Sequence, residues 1–432
     1  MDSTLLALCF VLIALLAMLG SGVWVAISLV GIGIGSLDMF TNIPVGDLVI
    51  SKIWESSWSW PMTALPLFIW MGEILFRTKL SGQMFNGLSP WVGWLPGRLL
   101  HVNVLGCGIM AAVAGSSAVT AATVGRMSMS ELKDRHYDDR LMIGTLAGSA
   151  TLGLLIPPSI VLIVYGMVAQ QSVARLFMAG ILPGIMLMAL FMVYIAIWAC
   201  MNPEKMPPPE KRMTLRQRLL ASVGLFPILL LIGTVIGSIY AGIATPTESA
   251  TFGVVGALLI AYFSGSLTLR AFLDSLLSAT RIACMIGFIV ASAAVLSSAF
   301  SFIGIPQYLA QTVNTLNLSP YMLLLVLTVF FIVLGCFLEG ISILVISSAV
   351  VLPMLQSAGI DLLWFGIYAV VIIEMAQITP PVGFNLFVLQ SITGRNIWQV
   401  TLAAAPFFFI LCLAALLLVL FPGIVTWLPS LM

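Results

Sequence analysis

Charged side chains are scarce in this chain. Lys, Arg, Asp and Glu make up 8% of its 432 residues, against about a quarter in ordinary globular domains. With 61% hydrophobic residues and a mean hydropathy of +1.16, too little polar surface remains to cover a soluble fold of this length. The expectation is an all-α polytopic protein of the lipid bilayer. A formal net charge of +1 carries no basic or acidic bias, so nucleic acid is not an expected partner. Histidine is nearly absent, and His101 and His136 lie too far apart to suggest a metal centre. The six cysteines (Cys9, Cys107, Cys200, Cys284, Cys336, Cys412) are scattered through apolar runs without CxxC spacing and read as small buried hydrophobes. HExxH, GxSxG, Walker and DDxxD-type patterns are missing, so the chain is not expected to be an enzyme and no cofactor is called for. Uphill transport would then have to draw on an ion gradient or on another subunit. The N-terminal stretch lacks a basic n-region and a small-residue cleavage site, which favours a retained span over a signal peptide.

Against this apolar background two proline doublets stand out, Ile156-Pro157-Pro158-Ser159 and Thr379-Pro380-Pro381-Val382. Each follows a Gly-bearing segment at nearly the same distance: 42 positions from Gly115 to Pro157 and 40 from Gly340 to Pro380. Proline has no backbone N–H and its ring clashes with the carbonyl four residues back, so a doublet breaks a helix. In hydrocarbon such a break survives only where protein, water or a ligand meets the freed backbone groups. Matching breaks in two halves are the best sequence pointer to a transporter's central site.

Apolar segments long enough to matter run through 4–35 (room for two spans, bent near Gly20), 62–76, 98–115, 141–156, 159–170, 178–200, 219–240, 249–264, 280–300, 320–338, 341–356, 363–379, 383–392 and 402–421. A full crossing takes about 20 residues, so the short ones read as half-helices or re-entrant arms. Ten to twelve crossings plus two hairpins are expected. The polar stretch at 201–218 carries five of the 17 Lys/Arg residues and is expected on the cytoplasmic side. It divides residues 1–200, with a hairpin near 103–130, from residues 219–432, with a hairpin near 335–356. The mixed-sign segment Arg126 to Arg140 reads as a surface loop after the first hairpin. An odd number of crossings in each half would orient the halves oppositely, as an inverted repeat.

Several motifs admit two readings. The small-residue run Gly115-Ser116-Ser117-Ala118-Val119-Thr120 suits close helix packing, or a hairpin tip whose carbonyls and hydroxyls hold a hard cation. Its pairing with Pro157-Pro158-Ser159 favours the tip. The segment Gln377 to Asn385 packs Thr379, Pro380, Pro381, Gly383 and Asn385 into nine positions, more than a simple kink requires. Thr245-Pro246-Thr247-Glu248 reads as a helix start with a capping box, or as a stretch placing Thr245 and Thr247 beside the cavity. Glu73, Glu248, Glu339 and Glu374 are carboxylates among apolar neighbours. Each is either an interfacial or hydroxyl-paired acid or part of an ion or proton site. Arg98, Arg281 and Arg395 read as snorkelling residues at span ends.

These blocks resemble the large membrane subunit of tripartite ATP-independent periplasmic (TRAP) transporters, the DctM-like permeases. The resemblance covers essentially the whole chain. It is carried by Leu65-Pro66-Leu67-Phe68 with Met71-Gly72-Glu73-Ile74-Leu75, Gly115-Ser116-Ser117-Ala118, Leu155-Ile156-Pro157-Pro158-Ser159-Ile160, Ala179-Gly180-Ile181-Leu182-Pro183-Gly184, Ala244-Thr245-Pro246-Thr247-Glu248 and Ile378-Thr379-Pro380-Pro381-Val382-Gly383. It implies Na⁺-coupled import of a small carboxylate across the bacterial inner membrane. It further implies a small four-span membrane subunit and a periplasmic substrate-binding protein as partners, and a scaffold with an elevator-type transport domain. By position, Gly115, Ser116 and Ser117 form the first hairpin tip facing Pro157 to Ser159. Gly340 and Ser342 belong to the second, facing Thr379 to Gly383. Na⁺ is implied in each cleft, with Ser116, Ser117, Gly340 and Thr379 as ligands. The chain departs from the family pattern at Ser130-Glu131-Leu132 with His136-Tyr137, and at Glu339, where many members carry Asp. Alternatives from outside the family are a stand-alone ion-coupled anion symporter, a passive channel, and a membrane-embedded enzyme acting on lipid-linked substrates.

Overall fold

The computed structural model describes residues 3–78, 80–208, 213–315, 319–380 and 383–432. The linker residues Pro209 to Arg212 and the site residue Pro381, with Val382, lie outside the described residues. Among the described residues all regular structure is helical. The first stretch comprises α1 (Ser3–Gly20), α2 (Val25–Phe40), α3 (Val45–Ser57), α4 (Trp60–Phe76) and α5 (Leu80–Val92). Then come α6 (Leu100–Ala114), α7 (Ser117–Asp134), α8 (Asp139–Ala150), α9 (Leu152–Leu155), α10 (Ile160–Val168) and α11 (Val173–Met201). Beyond the linker are α12 (Leu215–Ser222), α13 (Phe226–Tyr240), α14 (Pro246–Phe263), α15 (Leu269–Ile303) and α16 (Ile305–Thr315). The chain ends with α17 (Pro320–Gly335), α18 (Gly340–Ser357), α19 (Leu362–Gln377), α20 (Phe384–Thr393), α21 (Ile397–Leu420) and α22 (Gly423–Thr426).

Many of these helices are apolar all round, which marks helices that face lipid on one side and protein on the other. In α21, Phe407, Leu411 and Leu418 are buried while Phe409, Leu413, Leu416 and Leu420 are exposed. Six helices among the described residues are long and apolar enough to cross a membrane, and seven if the bent pair α8–α9 with α10 counts as one. That is fewer than the ten to twelve crossings expected from the sequence. The difference lies in α1, α2, α4, α6, α17, α19 and α20, apolar helices of only 10–17 described residues. Prolines and glycines cut the apolar runs into shorter rods than hydropathy alone suggests.

The two broken helices run antiparallel. α8 opens with Asp138 as its cap, the side chain accepting from Leu141 N at 3.0 Å. Lys205, at the linker end of α11, lies 4.0 Å from Asp138. From that end the chain runs through the break into α10, where the Tyr165 hydroxyl donates to Leu362 O at 2.6 Å. Leu362 begins α19, which therefore starts at the opposite end and runs back. Beyond its own break, α20 leads to Arg395, which pairs with Asp139 at the linker end again. The α6–α7 pair enters from the linker end too, since Leu99 N donates to the Tyr137 hydroxyl at 3.2 Å.

Candidate functional site

Four interruptions of helical structure meet inside the molecule. The first is the turn between α6 and α7. α6 ends at Gly115, whose φ of 59° lies in the left-handed region that glycine adopts without a Cβ penalty. Ser116 then caps α7 in an extended conformation without a side-chain hydrogen bond, and Ser117 and Thr120 are buried on its first turn.

The second interruption separates α9 from α10 at Ile156 to Ser159, with a 41° bend between the flanking segments. The Pro157–Pro158 peptide is cis. Pro157 and Pro158 offer no N–H to the carbonyls of Gly153 and Leu154. Ser159 repairs part of the damage: its hydroxyl donates to Leu154 O and accepts from Leu162 N at 3.3 Å, capping α10. Turn and break are in contact. A Cβ on Gly115 would stand 3.0 Å from Pro158 O, and one on Gly153 would stand 2.5 Å from both N and Cα of Ser117. Glycine at these two positions permits a backbone approach that any side chain would block.

The third interruption, Cys336 to Glu339, joins α17 to α18. Glu339 is the N-cap residue of α18 without a side-chain cap hydrogen bond, and Gly340 and Ser342 are buried in its first turn. The fourth runs from Ile378 to Gly383, between α19 and α20. Gly383 has φ 40°, and a Cβ there would stand 2.8 Å from Thr379 O and 3.0 Å from Gln377 O. Two backbone carbonyls therefore converge on one glycine. The Thr379 hydroxyl donates to Met375 O at 2.6 Å, leaving its own lone pairs open. Turn and break touch here as well. The Cys336 thiol donates to Pro380 O at 3.3 Å, and a Cβ on Gly340 would lie 2.7 Å from Gln377 Nε2 and 3.0 Å from Leu154 Cδ1. The Leu154 contact links the second turn to the first break.

A hydrogen bond from Ser117 Oγ to Gln377 Oε1 at 3.2 Å spans the two halves. Buried polar groups without close partners lie on the same helices and on α20. They are the Thr120 hydroxyl on α7, both oxygens of Glu374 one turn before Gln377, and both amide atoms of Asn385 on α20. Helices α7 and α20 pack on each other. Burying such groups unpaired costs about 1–3 kcal/mol each, a cost that a polar occupant beside them would offset. Among the described residues no group of three or more His, Cys, Asp or Glu could hold a metal ion. The donor set is one of hydroxyls, amides, carbonyls and a carboxylate, suited to hard cations.

The structure thus brings together Gly115, Ser116, Ser117, Thr120, Pro157, Pro158, Ser159, Gly340, Ser342, Thr379, Pro380, Gly383 and Asn385, with Glu339 at the edge. Thr245 stands apart. It is exposed, its N–H and hydroxyl bond Glu248 Oε2 at 2.7 and 2.8 Å, and α14, which it caps, packs against α4 and α13. The capping-box reading is the one that the geometry realises there. Glu73 likewise pairs with Arg77 at 3.2 Å near a helix end. Sequence reasoning missed Gln377, Gly153 and Cys336. Gln377 carried a signal, being an amide inside an apolar run two residues before Thr379.

Comparison with known proteins shows the family and the fold. Residues 11–424 match the family model described as "Tripartite ATP-independent periplasmic transporter, DctM component". The C4-dicarboxylate TRAP transporter large permease protein DctM of Pseudomonas aeruginosa is 33% identical over 91% of each chain. The ectoine/5-hydroxyectoine TRAP transporter large permease protein UehC of Ruegeria pomeroyi is 28% identical over 93% of each. In fold, the chain is similar to the Alcanivorax borkumensis YdaH transporter, with a TM-score of 0.65 over 98% of both chains at 13% identity. The chain belongs to the DctM family, as the large permease subunit of a TRAP transporter.

Proposed function

We propose that this permease imports a small organic acid across the bacterial inner membrane, drawing on a Na⁺ gradient. A periplasmic binding protein delivers the acid, and a small four-span membrane subunit completes the complex. The observation that carries this reading is the meeting of both turns with both breaks around oxygen-rich backbone, where a hard cation finds ligands without a buried basic residue. The helices that begin at the breaks, α10 and α20, present backbone N–H groups and the positive ends of their dipoles to an anion. With the linker end as the cytoplasmic side, the α6–α7 pair enters from the cytoplasm and the α17–α18 pair from the periplasm, as in an inverted repeat with two re-entrant hairpins. The packed block holding the four interruptions would then shift as the mobile element of an elevator-type cycle.

The test is uptake into proteoliposomes holding this chain with its small subunit, using a panel of radiolabelled carboxylates and the cognate binding protein. Accumulation is expected only with Na⁺ outside in excess and with the binding protein present. Equal uptake in choline buffer would refute Na⁺ coupling. Equal uptake by this chain alone, with no binding protein, would support a stand-alone symporter instead.

A further inference from the structure

Glu374 is a carboxylate whose charge no described ion pair balances. It lies on α19, 1% exposed, in a helix whose other buried residues, Gln377 apart, are apolar or aromatic. Neither of its oxygens has a close, well-aligned hydrogen-bond partner. The Ser117 hydroxyl and the backbone of Leu154 approach it as neutral donors, and the charge near it is that of a second acid, Glu339. Among the described ion pairs no Lys or Arg meets it. An intramembrane carboxylate of this kind is costly unless something positive sits with it.

One helical turn further along α19, Gln377 Oε1 stands 3.2 Å from Ser117 Oγ. Two oxygens each about 2.4 Å from a common hard cation, at neighbouring corners of its shell, are separated by roughly that distance. Residues i and i+3 on a helix share a face, so Glu374 and Gln377 both turn toward the start of α7. The three side chains come from opposite halves of the chain, whereas the clefts considered above each lie within one half.

We propose that Glu374 is a direct, anionic ligand of a monovalent cation held between the halves, with Ser117 Oγ and Gln377 Oε1 as its neutral ligands. This rests on the Na⁺-coupled reading and deepens it. The cation joins α7 to α19, so the two breaks close as one unit, and the carboxylate balances the charge of one bound ion within the protein.

The experiment uses the purified complex and no transport. Na⁺-dependent thermal stabilisation is titrated in detergent at constant ionic strength with choline, for wild type, Glu374→Gln and Glu374→Asp. Glu374→Gln keeps the side chain's size and removes only its charge. Its Na⁺ half-saturation is expected to rise at least tenfold, with the melt in choline alone unchanged or higher. Glu374→Asp is expected to fall between. A Glu374→Gln protein that matches wild type within twofold overturns the proposal while leaving Na⁺ coupling through the other clefts intact. A wild type that no alkali cation stabilises overturns both. Should Glu374→Gln fail to assemble, Ser117→Ala and Gln377→Ala decide: a tenfold rise in both supports the shared site, and unchanged half-saturation in both overturns it.

Discussion

Replacing Gly153 by Ala perturbs the site from behind, through backbone, while leaving every proposed ligand side chain in place. An added Cβ would stand 2.5 Å from both N and Cα of Ser117 and 2.7 Å from the Ser116 carbonyl carbon. Ordinary contact begins near 3.4 Å, so the start of α7 must retreat by about 1 Å, and backbone, unlike a side-chain tip, cannot rotate away. Overpacking of this kind costs about 1–3 kcal/mol. The same retreat carries Ser117 Oγ beyond hydrogen-bonding range of Gln377, a further loss of about 1 kcal/mol. A weakening of about 1.4 kcal/mol in the ion-bound state is tenfold in half-saturation. Gly153→Ala should therefore lower the apparent melting temperature and raise the Na⁺ half-saturation of stabilisation and uptake about tenfold. Gly233→Ala is the control, because a Cβ on Gly233 in α13 meets nothing within 4 Å. The readout is a Na⁺ titration of thermal stability for both variants in parallel. If Gly153→Ala behaves as Gly233→Ala does, the contact between α9 and the start of α7 is not what positions Ser117, and the site as described is refuted.

Thr379→Ala removes a hydroxyl whose lone pairs remain open beside the Gly383 carbonyl cluster. It should raise the Na⁺ half-saturation of uptake several-fold with expression unchanged, as read in proteoliposomes against Western-blot levels. Thr245→Ala deletes a helix cap and should cost about 1 kcal/mol of stability. Its Na⁺ half-saturation should equal that of wild type, and a shift there would return Thr245 to the site. Arg395→Ala breaks an exposed pair with Asp139 and should cost no more than about 1 kcal/mol, with uptake intact in the same assay.

What was legible in the sequence is what proline and glycine enforce locally. A residue without an N–H breaks its helix wherever the chain goes afterwards, so Pro157, Pro158 and Pro380 announced two breaks from composition alone. Gly115 announced its turn in the same way, since only the absence of a Cβ makes φ 59° easy. Thr245 was readable too, because a capping box closes within four residues. Beyond the pairing of each turn with its own break, the contacts between residues far apart in the chain were illegible. Ser117 and Gln377 are 260 positions apart, and nothing within either neighbourhood specifies the other. Gly153 looked like one more small residue in an apolar run until Ser117 was placed against it. Cys336 read as a buried hydrophobe, which burial bears out, but its thiol also donates to Pro380 O across the second break. The difference between the expected crossings and the helices of full spanning length has a related reason. Hydropathy sums over a window and is blind to where a rod ends, while length in a bilayer is set by uninterrupted helix. The same interruptions that shorten the rods free the carbonyls that converge on Gly383. On the proposed function the loss of spanning length and the gain of cation ligands are therefore one event, and a substitution that restored a continuous helix at either break should abolish Na⁺-dependent stabilisation from that cleft.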